Sequence, residues 1–226
     1  DYHLIVLAPS SVQEMVDFVA LGMDLAFKYR NPAMILADGI VGQMMEKVVL
    51  PPARPRRTDE QVREQCPWAA TGKHGRKHRN VITSLELDSQ EMEKNNIRFQ
   101  ETYRTICENE PRWQEYFTDD AEYLMVAFGS VARICLKAIE DARARGVKIG
   151  LLRPITLWPF PVKRVDELSR RVKGMLTVEL NAGQMIEDVK LSSECRVPVY
   201  HFGRLGGMIP TPTEILEAFN KFFPAE

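Results

Sequence analysis

AEYLMVAFGSVARICLKAIEDARARGVKIGLLRPITLWPFPVKRV, residues 121–165, carries the clearest pattern in the chain. An apolar run ends at Gly129, apolar residues then recur every three to four positions, and a second apolar run occupies residues 147–154. Ser130 is a candidate N-cap for the intervening helix, and Gly146 fits the position just after its end. Because two parallel strands need a long crossover between them, the pattern predicts a strand–helix–strand unit.

The same alternation continues toward the C-terminus. Thr211 and Glu214 enclose Pro212 in a capping-box pattern that predicts the start of a last helix. Strands that alternate with helices indicate an open parallel sheet covered on both faces. The further predicted elements are helices at 162–172 and 183–192 and strands at 174–181 and 197–203.

A shorter unit of the same kind precedes it. The runs at 3–9 and 33–38 flank a helical pattern that begins after Ser11, and they predict a parallel βαβ unit. Residues 51–121 interrupt the alternation with a Pro/Arg-rich stretch, a basic loop and one helix over 88–109. We therefore predict an α/β fold: a partial βαβ unit at 1–50, a linker at 51–121 and a complete Rossmann-like domain at 122–226.

Composition excludes several classes of function. The 226 residues carry a formal net charge of −1, so no global field attracts nucleic acid or anionic lipid. No apolar run approaches the roughly 20 residues that a membrane-spanning helix needs. The basic run at 71–80 has no aromatic residue for stacking on bases, which favours a solvated loop and leaves anion or subunit docking as the alternative. The first residues, DYHLIV, lack a signal-peptide pattern, so we expect a cytoplasmic protein whose chain begins within a fold.

No familiar catalytic or metal motif occurs in the sequence. His74 and His78 are four apart, but no further ligands follow at the spacing of a zinc site, and we predict no metal. The cysteines are too dispersed for an iron–sulfur cluster and are predicted to be free thiols. They are Cys66, Cys107, Cys135 and Cys195.

Ligands of open parallel sheets bind beyond the carboxyl ends of the strands, so the residues there are the candidate site. We predict that these residues form a contact surface or the rim of a cleft, and we assign none of them a catalytic role. They are Asp38, Gly39, Arg153, Trp158, Glu179, Asn181, Gln184, Arg204 and Gly206.

Three of these places have two interpretations. The glycine-rich run at 203–212 is either an anion or subunit contact built around Arg204 or a simple chain reversal. Glu179, Asn181 and Gln184 either recognise a polar group or include a helix cap by Asn181. The proline-stiffened segment 153–161 either covers the domain's own core or anchors an interface, and its Trp158 favours the interface.

The run at 121–165, together with TVELNAGQMIEDVK at 177–190 and HFGRLGGMIPTPTEI at 201–215, resembles the C-terminal domain of transketolase-like enzymes. The resemblance is strongest to the alpha-type subunit of 2-oxoacid:ferredoxin oxidoreductases. AMILADG at 33–39 resembles the last strand of that subunit's pyrimidine-binding domain, which the chain would then hold in truncated form. The segment 70–93 is similar to the linker of the branched-chain type, which acts on 2-oxoisovalerate.

This resemblance implies an enzyme subunit that is inactive alone. The family uses thiamine diphosphate to convert a 2-oxoacid into an acyl-CoA and passes electrons through iron–sulfur clusters to ferredoxin. Its Gly-Asp-Gly metal–diphosphate motif is missing here, because Ala37 precedes Asp38 and Gly39. The resemblance therefore implies that cofactor and magnesium are held largely by other segments, with a beta-type partner carrying the diphosphate and with clusters on partner subunits of gamma or delta type.

Other functions remain open. The same enzyme class could act on 2-oxoglutarate or pyruvate. The beta chain of a branched-chain 2-oxoacid dehydrogenase shares this domain type and would reduce lipoamide instead of ferredoxin. A noncatalytic Rossmann-like assembly module is the alternative from a different class.

Overall fold

A computed structural model describes residues 3–73 and 75–224. His74 lies outside these residues, so the His74–His78 pair has no structural description. The helices are α1 Val12–Tyr29, α2 Gly39–Gln43, α3 Asp59–Gln65, α4 Ser89–Asn109, α5 Ser130–Arg143, α6 Val162–Ser169, α7 Met185–Ser193 and α8 Pro212–Phe222. The strands are β1 Ile5–Leu7, β2 Ala33–Ile35, β3 Trp113–Tyr116, β4 Tyr123–Val126, β5 Ile149–Pro154, β6 Thr156–Trp158, β7 Met175–Glu179 and β8 Val199–Gly203.

The chain divides into two compact units. One comprises Asp1–Val49 with Tyr103–Glu226, and the other comprises Leu50–Thr102. In the smaller unit a Thr58–Gln61 capping box starts α3, and the basic run at 71–80 contains neither helix nor strand among its described residues. The loop prediction is confirmed there, while the domain boundaries at 50 and 121 stay predictions.

The main sheet has the strand order β3-β5-β4-β7-β8. Strands β5, β4, β7 and β8 are parallel to their neighbours, and β3 joins the β5 edge in the antiparallel direction. The four predicted strands are those of the parallel part, and helices connect them as expected. The predicted α/β class with an open, mostly parallel sheet is confirmed.

Two buried layers cover the faces of this sheet. Because successive side chains of a strand point to opposite faces, Met125 and Leu124 of β4 enter different cores. Met125 packs in the layer that contains α5 and α8, where Cys135, Ile139 and Phe219 are buried. Leu124 packs in the other layer, which contains the buried side chains of α6 and α7. Burial on both faces explains why the parallel strands read as continuous apolar runs.

A smaller sheet of order β2-β1-β6 forms in the N-terminal segment. Strands β1 and β2 are parallel and joined by α1, which confirms the predicted βαβ unit. Ser11 accepts a hydrogen bond from the N–H of Glu14, so the predicted N-cap is also confirmed. Of the predicted strand at 33–38 only Ala33–Ile35 is extended in the sheet, because Asp38 already caps α2.

Two antiparallel strands were missed by the sequence pattern. β3 pairs with β5 and β6 pairs with β1, and both lie in segments expected to be linker or loop. Pairing of backbone groups over long sequence separations decides these strands, and such pairing leaves no local periodicity. The helix expected over 162–172 ends at Ser169, although Val172 is still buried beyond it.

The segment around Trp158 packs within the chain. The Trp158 ring lies 5.2 Å from His3 and 5.8 Å from Tyr103, measured between ring centroids, and Phe160 is buried in the α6–α7 layer. Both aromatic residues therefore cover core surface of this chain, and contact of this segment with another chain stays a prediction.

All four cysteines are free thiols, and burial raises the pKa of Cys135 well above its usual range. Among the described residues, none of the helices combines the length and apolar character that crossing a membrane requires.

An ion pair fastens α6 to the antiparallel edge of the sheet, and we expect it to make stability depend on acid pH. Arg164 donates to both carboxylate oxygens of Glu115 at 2.6 and 2.8 Å, which holds the Glu115 pKa at about 2. This contribution is complete above the unfolded pKa of about 4.3 and is lost as pH falls toward 2. Glu115→Gln should lower the free energy of unfolding at pH 7 by about 2 kcal/mol, allowing for partial exposure. Urea unfolding between pH 7 and pH 3 measures it.

Glu122→Gln is the matched control for this pair. Glu122 bonds Lys173 at 2.5 Å on the open surface, with both side chains about half exposed. Exposed pairs are screened by solvent, so the unfolding midpoint should change little. A loss in Glu115→Gln that stays constant down to pH 3 would contradict the assignment.

Candidate functional site: a cleft at the sheet's carboxyl edge

Strand order places a cleft where open α/β sheets bind ligands. β5 and β7 lie on opposite sides of β4, and the helices that follow β4 and β7 cover opposite faces of the sheet. A crevice therefore opens beyond the carboxyl ends of these two strands. Two adjoining cavities, of about 200 and 180 Å³, occupy this crevice, which we call the switch-point cleft. Its lining is Leu36, Ala37, Asp38, Phe128, Gly129, Leu157, Phe160, Glu179, Leu180, Asn181, Gln184, Met185 and Asp188.

Asp38 connects two helix starts on the cleft wall. One carboxylate oxygen accepts the N–H groups of Ile40 and Val41 at 3.1 and 3.0 Å and so caps α2. The other oxygen accepts the N–H of Ser130, the first residue of α5, at 2.8 Å. A single side chain therefore satisfies donors at two helix N-termini that lie about ninety residues apart in sequence.

The start of α5 differs from the sequence prediction. Gly129, not Ser130, is the N-cap, and the Ser130 hydroxyl is buried without a hydrogen-bond partner among the described residues. Gly129 has φ 65° and ψ −151°, a region that essentially only glycine occupies. A Cβ at this position would lie 2.8 Å from the nearer Asp38 carboxylate oxygen. Glycine is required here because the Asp38 carboxylate fills the space that a Cβ would take.

Glu179 caps α7 from the end of β7. Its carboxylate accepts the N–H groups of Gln184, Met185 and Ile186 at 3.2, 2.8 and 3.1 Å, and the residue is 1% exposed. The alternative that Asn181 caps this helix is wrong, because the Asn181 side chain accepts the N–H of Gly183 within the preceding turn. The helix starts at Met185 rather than at 183, since the intervening residues bring its N-terminus over Glu179.

Asp188 lies at the rim of the cleft, one turn into α7. It makes no hydrogen bond or ion pair with any described residue. Desolvation raises its pKa above the ordinary value, and the carboxylates of Glu187 and Glu179 add to the rise. The rim therefore carries a carboxyl group whose charge is unbalanced.

The structure brings together five of the residues predicted for the site and separates the others. Asp38, Glu179, Asn181 and Gln184 line the switch-point cleft, and Gly39 follows Asp38 at the start of α2. The remaining four lie elsewhere in the same unit: Arg153, Trp158, Arg204 and Gly206.

Arg153 is committed to internal contacts. It is 3% exposed and donates to both carboxylate oxygens of Glu14 at 2.9 and 2.5 Å and to the side chain of Gln114. Because Glu14 belongs to α1 and Arg153 to β5, this pair joins the N-terminal βαβ unit to the main sheet. The Nε of Arg153 is buried without a partner among the described residues.

Arg204 lies at a different cavity, beside α8. Its guanidinium contacts Glu214 at 3.2 Å, and the cavity there is lined by Phe202, Glu217 and Lys221 among others. Gly206 follows in the exposed turn with φ 63° and open space around it. The structure leaves both interpretations of this turn, reversal or contact, as predictions.

Phe128 and Asp188 line the cleft but were not among the predicted site residues. Phe128 precedes the Gly129 turn and was counted only as part of a strand, and Asp188 was counted only as part of a helix. The sequence analysis also did not identify Glu14, which does not line the cleft, as the internal partner of Arg153. The one available signal was position, since Phe128 also follows a strand whose carboxyl end was expected to face the site.

The Rossmann-like α/β domain, joined to a βαβ unit and with its cleft at the switch point, places the chain in the class of doubly wound α/β proteins. The chain belongs to the pyruvate flavodoxin/ferredoxin oxidoreductase family. Residues 1–114 match the family's thiamine diphosphate-binding model, and residues 121–215 match pyruvate:ferredoxin oxidoreductase core domain II. The family expected from the sequence motifs is confirmed.

Curated relatives agree with this family. The ketoisovalerate oxidoreductase subunit VorB of Methanothermobacter thermautotrophicus is 44% identical over 224 residues, or 98% of this chain and 61% of VorB. The 2-oxoglutarate synthase subunit KorA of the same organism is 32% identical over 241 residues, covering 98% of this chain and 64% of KorA. The chain thus spans less than two thirds of the length of either relative, and both relatives are subunits of larger enzymes.

A solved structure supports the fold. The 2-oxoglutarate:ferredoxin oxidoreductase from Magnetococcus marinus, with 2-oxoglutarate, coenzyme A and succinyl-CoA bound, superposes with a TM-score of 0.75 at 20% identity. The superposition covers 96% of this chain and 42% of that chain. At this identity the likeness establishes the shared architecture.

The two helix starts at the switch-point cleft do not fit the diphosphate of thiamine diphosphate. A diphosphate needs free N–H donors at a helix start or a bound metal ion. Asp38 occupies the first N–H donor of α5, that of Ser130, and Glu179 occupies three donors at the start of α7. In the described ranges no group of His, Cys, Asp and Glu is placed to hold a metal. No catalytic step through the cofactor can be assigned to these residues.

Gly129→Ala should destabilise the chain by at least about 2 kcal/mol, because it combines a glycine-only backbone with a clash against Asp38. Gly42→Ala is the matched control. It lies in α2 with nothing within 4 Å of an added Cβ, so it should be neutral or stabilising by about 0.5 kcal/mol. Urea denaturation of both variants compares them. Equal effects would remove the steric role given to the Asp38 carboxylate.

Glu179→Gln should cost about 1–3 kcal/mol, because an amide presents an NH₂ group to donors that the carboxylate now accepts. Glu187→Gln, in the exposed first turn of the same helix, should cost at most about 0.5 kcal/mol. Hydrogen exchange at the amides of Met185 and Ile186 adds a local measurement, which should accelerate in Glu179→Gln alone. Unchanged protection of these two amides would show that Glu179 is not the cap.

Proposed function

We propose that this chain is the alpha-type portion of a 2-oxoacid:ferredoxin oxidoreductase that acts on 2-oxoisovalerate. The 44% identity to a ketoisovalerate oxidoreductase subunit over 98% of the chain carries the proposal. The identity to a 2-oxoglutarate synthase subunit is 32%, which favours the branched-chain substrate. In this enzyme the oxoacid loses carbon dioxide, its acyl group passes to coenzyme A, and ferredoxin accepts the electrons.

In this proposal the chain contributes structural support to the enzyme and no catalytic residue. Glu14 and Arg153 join the βαβ unit to the main sheet, and Asp38 joins α2 to α5. We infer that residues 1–50 end a pyrimidine-binding domain, that 51–121 form a linker and that 122–226 form a transketolase C-terminal-like domain. Thiamine diphosphate supplies the carbon chemistry when it is bound in the complex.

Partner subunits hold the other groups in this proposal. A beta-type subunit binds magnesium and the cofactor diphosphate, which agrees with the occupied helix starts of this chain. Gamma- and delta-type subunits carry the iron–sulfur clusters, which agrees with four cysteines that include two buried ones, Cys66 and Cys135. The proposed location of the assembled enzyme is the cytoplasm.

Reconstitution tests the proposal. Expressed together with beta-, gamma- and delta-type partners, the chain should yield a complex that reduces ferredoxin with 2-oxoisovalerate and coenzyme A. We expect kcat/KM for 2-oxoisovalerate to exceed that for 2-oxoglutarate and pyruvate at least about tenfold, since an apolar pocket separates such chains by 1–3 kcal/mol. Iron and acid-labile sulfide should occur in the complex. A complex that holds no iron and reduces lipoamide would instead support a dehydrogenase beta chain.

The purified chain alone is the control. A ligand that binds only the folded state raises the melting temperature. Thiamine diphosphate with Mg²⁺ should leave the melting temperature of this chain unchanged and should raise that of the complex. A large shift for the isolated chain would place the diphosphate site on this polypeptide and contradict the assignment to a partner.

A further inference from the structure

The switch-point cleft is closed to phosphate groups. Phosphate binds at helix starts through free N–H groups and the positive end of the helix dipole. Both helix starts at this edge already receive carboxylates of the chain itself, Asp38 on α5 and Glu179 on α7. An incoming phosphate would meet two carboxylates in place of donors. The position where this fold class usually binds a nucleotide is thus unsuited to one.

The walls of the cleft are apolar and its polar lining includes acids but no bases. Among the described residues that line it there is no Lys, Arg or His. The His201 ring, which does not line the cleft, has its Nδ1 3.4 Å from Glu179. Two aromatic rings, Phe128 and Phe160, lie in the wall, and Asp188 stands unpartnered at the rim. The complementary ligand has an apolar stem and a positive end.

Each cavity of the cleft, taken alone, has the size for a single side chain. The two hold about 200 and 180 Å³, each below the roughly 300–1,000 Å³ of pockets for drug-sized ligands. Arginine combines a methylene stem, weak hydration and a planar cation that stacks on aromatic faces and pairs with carboxylates through two hydrogen bonds. The rings of Phe128 and Phe160 offer surfaces for the stem and for stacking, and the Asp188 carboxylate offers the two acceptors.

We propose that the switch-point cleft is a docking site for a partner subunit, which inserts an arginine side chain between Phe128 and Phe160 and pairs it with Asp188. The proposal rests on the proposed function in one respect, that this chain works as a subunit. Asp188 then gains the counter-charge that it lacks within the chain, and its pKa, raised in the free chain, falls on binding.

A titration of the purified chain with agmatine, a guanidinium on a four-carbon stem, tests the recognition chemistry. Methyl NMR of Met185, with amide spectra of Phe128 and Asp188, should show saturable shifts with a dissociation constant in the millimolar range. Asp188→Asn should weaken binding at least about fivefold, the scale of one exposed ion pair. Glu140→Gln removes an exposed carboxylate ten residues along α5 from Ser130 and should bind as the wild type does.

Pyrophosphate at equal concentration should leave the resonances of Met185, Phe128 and Asp188 unmoved. Shifts with pyrophosphate but not with agmatine would overturn the proposal.

Assembly tests the occupant. Asp188→Arg should weaken the affinity of the chain for its partner subunits at least about tenfold in sedimentation velocity, and Asp188→Glu should restore most of it. Glu140→Arg, an equal change of charge on an exposed site, should assemble normally, and all variants are checked for unchanged melting temperature. Normal assembly of Asp188→Arg would overturn the side-chain proposal, and agmatine binding would then identify a small organic cation as the ligand. Because assembly is measured without substrate, this outcome is separate from a wild-type complex that fails to turn over 2-oxoisovalerate.

Discussion

Carboxylates that accept backbone N–H groups at helix starts are the constraint on which the rest of this structure depends. The first turn of a helix leaves N–H donors without partners, and burial makes each unmet donor costly. Glu179 accepts three such donors of α7, and Asp38 accepts the first donor of α5. Glu179 reaches α7 from the end of β7, and Asp38 reaches α5 from the segment that follows β2. These side chains therefore also set where the two helices begin.

This arrangement has a consequence for ligand choice. Open parallel sheets usually leave a helix start free at the switch point, where it attracts phosphate. Here the charge at that position comes from the protein, and the cleft is left with apolar walls and an acidic rim. The chain belongs to a thiamine diphosphate-binding family, yet the helix starts at this cleft hold carboxylates of the chain where a diphosphate would need free donors.

A buried ion pair is among the contacts that join the N-terminal βαβ unit to the main sheet. Arg153 is inserted between Glu14 and Gln114, and the pair with Glu14 is largely shielded from water. A charge that is buried in this way is stable only with its partner in place, which fixes one relative position of α1 and β5. Beside it, Asp38 connects α2 to α5. The wall of the cleft therefore has a defined shape before any partner arrives.

Local sequence determined the alternation of strands and helices, the caps at Ser11 and Thr211, and the α/β class, because periodicity and capping act within a few residues. Glu179 and Asp38 were recognisable as strand-end carboxylates, but they follow strands of two different sheets, so their meeting at one cleft was decided by the tertiary structure. Only the tertiary structure decided what they do there. Strand β3, strand β6 and the hydrogen bond from Ser130 to Asp38 join residues far apart in sequence, and no local pattern encodes such a contact. Their formation depends on where packing brings the backbone, which is a property of the whole fold.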